Sequence, residues 1–168
     1  MKNKIEIMYG DISEIQADGI ICQANTDLEI EDRITRRLVD KGEDTIRDAC
    51  NQFANVKKGD AVITTAGKLP AQFLIHTVIT SMGDEVEEED MMLGMRNALN
   101  LAKEKSLKTI TMPLIGIGEL GISIKRAAEL MLAEIKRHLE AETSVERLIF
   151  VLEDEAQYEA CEEEFRQL

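Results

Sequence analysis

The 168-residue chain carries 33 Asp and Glu against 20 Lys and Arg, a formal net charge of −13, which repels phosphate backbones and anionic membrane surfaces and disfavours generic nucleic-acid binding. Its length suits one domain over 1–168, burying roughly two-thirds of the surface that the unfolded chain exposes. No run reaches the ~18 apolar residues of a membrane helix, and "MKNKIEIMYGD" lacks the apolar core of a secretion signal, so a cytoplasmic protein without membrane attachment is expected.

In chain order, "KIEIM" alternates and "DGIIC" is a short apolar run, which predicts two strands. Ile34 and Leu38 mark a short first helix, and Ile46, Ala49, Cys50 and Phe53 mark a second. "DAVITT" and "FLIHTVI" follow as strands, with "VKKGDAV" and "AGKLPAQ" as the turns flanking a hairpin. Met91, Met95, Ala98 and Ala102 repeat at helical spacing, then "KTITM" reads as a strand. Ile124, Ala127, Met131 and Ile135 give a fourth helix, "ERLIFVL" a sixth strand, and Tyr158, Cys161, Phe165 and Leu168 a last helix. A hairpin mixed with crossovers predicts a three-layer α/β/α architecture, a mixed sheet of about six strands with helices on both faces.

Cys22, Cys50 and Cys161 are odd in number, far apart and set among apolar neighbours, so they read as core residues rather than a disulfide framework or zinc site. No metal site and no cofactor is expected. The run "GDEVEEEDMM" reads as a solvated helix start, its charge suited to the positive end of the helix dipole, because it lacks calcium-loop spacing.

The stretch "TMPLIGIGELGISIKRAAELM" places Gly116, Gly118 and Gly121 at G-x-G-x-x-G spacing between a strand and a helix, a shape that offers backbone N–H groups to an anion. A dinucleotide fold would want an acidic residue about 20 positions further on, at the end of the next strand. That strand ends at Glu153, too far along, and the lysine of a P-loop is absent. Glu119 inside the loop puts a carboxylate where an anion would sit.

"YGDISEIQADGIICQAN", "KKGDAVITTAGKLPAQFLIHTVI" and "TITMPLIGIGELGI", in this order and spacing, resemble the macrodomain family over nearly the whole chain. The resemblance implies an ADP-ribose or related nucleotide ligand, with an ADP-ribosylated protein as a further partner. It implies that Asp11 accepts from the adenine amino group beside the backbone N–H of Ile12, and that Asn25 faces the distal ribose. It makes Gly116, Ile117, Gly118, Glu119, Leu120 and Gly121 a phosphate loop, and His76 a packed strand residue.

Three departures stand out. The family's N-A-A-N is here Cys22-Gln23-Ala24-Asn25. The glycine-rich loop that should follow is replaced by the shorter "TDLEIEDRITRRL", which has no glycine. Glu153 stands where many members have an aromatic that stacks on adenine. The leading reading is therefore a divergent macrodomain that binds ADP-ribose or a related nucleotide. An ADP-ribosyl or O-acetyl-ADP-ribose hydrolase, with Asn25 and Glu31 as catalytic groups, and a ligand-independent interaction domain on the same scaffold remain open alternatives.

Overall fold

The computed structural model describes residues 1–168. Its elements run β1 (Ile5–Tyr9), β2 (Gly19–Asn25), α1 (Arg33–Gly42), α2 (Asp44–Cys50), β3 (Ala61–Thr65), β4 (Phe73–Thr80), α3 (Glu88–Glu104), β5 (Thr109–Met112), α4 (Ile124–Glu140), β6 (Arg147–Leu152) and α5 (Glu155–Arg166). The sheet order is β1-β6-β5-β2-β4-β3. Every neighbouring pair is parallel except the β3–β4 hairpin, so the sheet is mixed, as the sequence predicts.

Both faces of the central strands are buried, and that is why they read as unbroken apolar runs. Along β6, Leu148, Phe150 and Leu152 join a core with α3, α4 and Cys161 of α5. Ile149 and Val151 point the other way, into a second core with Leu38 and Val39 of α1 and Ile46 of α2. Ile20 and Cys22 of β2 belong to the second core and Ile21 to the first. The chain therefore builds three layers. No helix is long and apolar enough to cross a membrane.

Helix boundaries follow side-chain caps. Asp32 accepts from Thr35 N at 3.0 Å to start α1, Ser123 from Arg126 N at 3.1 Å to start α4, and Asp154 from Gln157 N at 3.0 Å to start α5; each cap satisfies one of the first-turn N–H groups that lack intrahelical acceptors. The acidic run ends as Glu88, Glu89 and Asp90 in the first turn of α3. One expectation moves: Phe53 lies beyond the end of α2 and is 40% exposed. The helical spacing there continues past the real terminus at Cys50, because Asn51 caps the helix and a turn follows.

His76 on β4 is 4% exposed, with Thr64 Oγ1 at 2.9 Å from Nε2 and Cys22 Sγ at 3.8 Å from Nδ1. Burial pushes its pKa down to about 4, so it is a neutral core residue at neutral pH. All three thiols are free, and burial pushes each of their pKa values up.

The helix pair α3–α4 is tied by a nearly buried carboxylate. Glu134 is 3% exposed and accepts from Arg96 Nη2 at 2.8 Å and Nε at 3.2 Å, with Arg137 at 3.9 Å. Removing the bidentate partner strands a charge in a site of low polarity. Arg96→Ala is expected to lower unfolding free energy by about 2–3 kcal/mol, less than a fully buried pair because Arg137 remains nearby. Urea titration of both proteins checks this, and Arg96→Lys should lose less.

Candidate functional site

β2 pairs with β4 along its whole length, from Gly19↔Phe73 to Asn25↔Thr80, but with β5 only at Gly19↔Ile110 and Ile20↔Thr111. Beyond those two positions β2 and β5 part. The chain leaves β2 towards β3 and β4 on one side, whereas β5 leads through α4 to β6 on the other. Such a divergence leaves a crevice at the carboxyl ends of the strands, the usual ligand position in open α/β sheets.

A cleft of about 740 Å³ opens there, between the segment 30–34 that leads into α1 and the loop after β5. Gln23, near the end of β2, spans the parting: its Oε1 accepts from Gly116 N at 3.0 Å. The sequence marked Gln23 only as a departure within Cys22-Gln23-Ala24-Asn25, with no role attached; its signal was a polar amide directly after the apolar run Gly19–Cys22.

The glycine loop has the backbone shape that its composition suggests. Gly116, Gly118 and Gly121 have φ of 80°, 69° and 97°, left-handed values that a Cβ disfavours. A Cβ on Gly118 would meet nothing within 4 Å. Ile122 N closes the loop on Gly116 O at 3.0 Å, and Gly121 N donates to Gly118 O at 3.1 Å, but the N–H groups of Ile117, Gly118 and Glu119 donate to no acceptor in the chain. Ile117, Gly118, Glu119 and Leu120 all line the cleft. Three free donors on a glycine-shaped turn can bind an anion.

The cleft walls carry the opposite tendency. Glu31, Asp32, Asp84 and Glu119 face Arg33 as the single cation among the lining residues. Glu31 and Glu119 are exposed and make no hydrogen bond or ion pair within the chain.

Asn25 sits differently. It is 1% exposed, its Oδ1 accepts from Asp27 N at 3.0 Å and Glu29 N at 3.2 Å, and its Nδ2 donates to Glu29 O at 3.2 Å. The amide thereby organises the loop after β2, in which Leu28 takes a left-handed φ of 55°. Glu31 follows this loop, one residue before the Asp32 cap.

Asp11 and Ile12 lie outside the cleft lining, at the carboxyl end of β1. Ile12 is 2% exposed and packs in the second core. Asp11 Oδ1 accepts from Ser13 N at 3.0 Å, Ser13 Oγ at 2.6 Å and Arg37 Nη1 at 3.0 Å. The same guanidinium makes a short contact with Glu153 Oε1 and reaches Glu153 Oε2 at 3.3 Å, where Arg33 also donates at 3.3 Å. Lys41 lies 3.6 Å from Asp11 Oδ2 and 3.7 Å from Glu14, and donates to Ser13 Oγ at 2.7 Å. Three carboxylates and three cations form one connected group. Despite partial desolvation, the hydrogen bonds from Ser13 and Arg37 hold the Asp11 pKa down at about 2, and those from Arg37 and Arg33 lower that of Glu153.

A three-layer fold with a strand-end crevice beside a glycine loop defines an α/β protein with its cleft at a topological switch point. Comparison with known proteins then gives the family. The Macro domain model matches residues 22–131. A macro domain-containing protein of Cupriavidus necator is 30% identical over 92% of this chain and 92% of its own. O-acetyl-ADP-ribose deacetylase 1 of Pantoea vagans is 32% identical over 93% of this chain and 95% of its own. The Oceanobacillus iheyensis macrodomain solved with ADP superposes with a TM-score of 0.86 at 28% identity, covering 97% of this chain and 90% of that one. The chain belongs to the macrodomain family.

The depressed Asp11 pKa makes a stability statement. The folded state holds Asp11 ionised more firmly than the unfolded chain does, so its contribution is present above about pH 4 and disappears as pH falls to about 2. Asp11→Asn keeps a capping oxygen but loses the charge. It is expected to cost about 1–2 kcal/mol at pH 7, reduced for solvent screening of the pair, with the difference closing as pH drops from 4 to 2. Chemical denaturation along that pH series measures it.

Proposed function

We propose that this macrodomain binds an ADP-ribose-type nucleotide, free or carried on a modified protein, by seating the phosphate-bearing part on the glycine loop. The carrying observation is the trio of unpaired N–H groups at Ile117, Gly118 and Glu119, residues that line the cleft where β2 and β5 part. The ADP bound to the Oceanobacillus relative supports the ligand class. Leu120 and Gly121 complete the turn, and Asp11 and Ile12 form the corner assigned to the base.

The deacetylase name of the Pantoea relative is taken only as far as this ligand class. Asn25 has its amide engaged by the loop backbone, and Glu31 has no hydrogen-bonding neighbour to orient it as a base. Binding is therefore the function that the geometry supports best.

Affinity is set by competition. A carboxylate ~5 Å from a phosphate charge costs about 3 kcal/mol at an effective dielectric of ~20. Three charge-assisted hydrogen bonds at about 1.5–3 kcal/mol each outweigh one such carboxylate, particularly an exposed one. Four at that distance, about 12 kcal/mol together, would exceed them, so binding depends on the cleft carboxylates being exposed and screened.

Two measurements follow from that balance. Isothermal titration with ADP-ribose should show weak binding that strengthens as ionic strength rises from about 0.02 to 0.15 M, because screening acts on a net repulsive cleft. Glu119→Gln should tighten binding about 3–10-fold at low salt, with a smaller gain at high salt. No binding of ADP-ribose at millimolar concentration under either condition would remove the proposal.

A further inference from the structure

A second cavity, of about 440 Å³, lies between the loop that follows β2 and the helices α1 and α2, and it shares only Gln23 and Ile30 with the cleft. His76 of β4 reaches it from the core. Small-molecule sites usually enclose about 300–1,000 Å³. The nucleotide reading makes no use of this space.

Charge of both signs surrounds it. Asp27 and Glu29 come from the loop, Arg36 from α1 and Arg47 from α2. Arg47 pairs with Asp40 at 3.1 Å, but the side chains of Arg36, Asp27 and Glu29 make no hydrogen bond or ion pair within the chain. Exposed charges can do without partners, so none of these residues is informative alone. Their grouping is informative: two guanidiniums and two carboxylates line one recess, their formal charges sum to zero, and no loop carboxylate pairs with either guanidinium.

The rest of the lining is apolar or neutral. Val39 and Ile46 are buried there, and Leu28 is half-buried. His76 is 4% exposed and uncharged at neutral pH, its Nε2 lying 2.9 Å from Thr64 Oγ1 and 3.9 Å from Cys50 Sγ. It adds polarity without adding charge.

We propose that this cavity is a second ligand site, which takes a small zwitterion of the α-amino acid type, free or as a short peptide. The ligand carboxylate meets Arg36 and Arg47, whose planar forks suit it, and the ammonium meets Asp27 and Glu29. An apolar side chain lies on Val39 and Ile46. A simple anion is disfavoured by the loop carboxylates and a simple cation by the guanidiniums, so the lining selects both charges in one molecule. The site stands independently of the nucleotide reading.

Leucine carries both charges and an apolar side chain, N-acetylleucine keeps only the carboxylate and leucinamide only the ammonium. These three are the probes, with leucylleucine as the peptide arm. Because every charged contact is exposed, leucine is expected to bind with a Kd on the order of 1 mM by calorimetric titration, and about tenfold more tightly than either single-charge analogue. Arg36→Gln should weaken leucine about threefold without weakening leucinamide. Asp27→Asn combined with Glu29→Gln should weaken leucine without weakening N-acetylleucine. All three positions are exposed, so the fold should survive these changes, and thermal unfolding checks that.

Cys50 reports where the ligand sits. It lines the cavity half-buried, whereas Cys22 and Cys161 are fully buried, so iodoacetamide reaches Cys50 first. Saturating leucine should slow that alkylation about threefold or more, while saturating ADP-ribose should not displace leucine. Tighter binding of leucylleucine than of leucine supports the site with a peptide as its source, and the reverse order supports it with a free amino acid. The proposal is overturned if leucine and leucylleucine fail to bind at tens of millimolar, or if the single-charge analogues bind as well as leucine. Leucine that binds without protecting Cys50, or that ADP-ribose displaces, overturns it equally.

Discussion

The parting of β2 from β5 is the constraint from which the rest of the site follows. β2 pairs with β4 in one register from Gly19 to Ala24, with a shift only at Asn25, so it is held away from β5, and those two strands separate after two paired positions. Backbone groups released from a sheet need partners. Gln23 meets part of that need by accepting from Gly116 N, which also sets where the glycine loop begins. The cleft is thus a consequence of sheet topology, and the side chains determine what it accepts.

The segment after β2 then shapes the far wall. Asn25 uses its amide to turn the chain within five residues, accepting from Asp27 N and Glu29 N, and the Asp32 cap starts α1 directly afterwards. Leu28 takes a left-handed conformation in this turn, a strain of about 1 kcal/mol for a residue with a Cβ. In return, α1 begins close enough to the ends of β1 and β6 for Arg33, Arg37 and Lys41, four residues apart on one helical face, to reach Glu153 and Asp11. One short segment thereby shapes both a wall of the cleft and the charge cluster beside it.

The fold was legible because burial on both faces turns strands into apolar runs, and amphipathic helices keep their spacing; all eleven elements appear in the predicted order. Phe53 misled because helical periodicity does not register where a helix stops. Within the site, the glycine loop was legible because left-handed backbone angles demand glycine locally. The charge cluster was not. Arg37 lies 26 positions from Asp11 and 116 from Glu153, and pairings across such separations leave no periodic trace. A signal was nevertheless available: the sequence places two carboxylates, Asp11 and Glu153, at neighbouring strand ends, where their repulsion calls for a cation, and "DRITRRL" supplies arginines on the helix that follows. Asn25 read as a ligand-facing amide for a related reason, since residue type does not reveal which acceptors and donors a turn will use.

The two arginine-centred arrangements in the chain differ in what separating them costs. Arg96 meets a carboxylate that water hardly reaches, so separating the pair leaves a buried charge without compensation. Arg37 meets carboxylates that are each nearly one-third exposed; when it withdraws, water and the neighbouring Lys41 and Arg33 take up much of the lost interaction, and such pairs are worth only about 0–1 kcal/mol each. The cost of opening is therefore the sum of several small contacts rather than one large desolvation penalty.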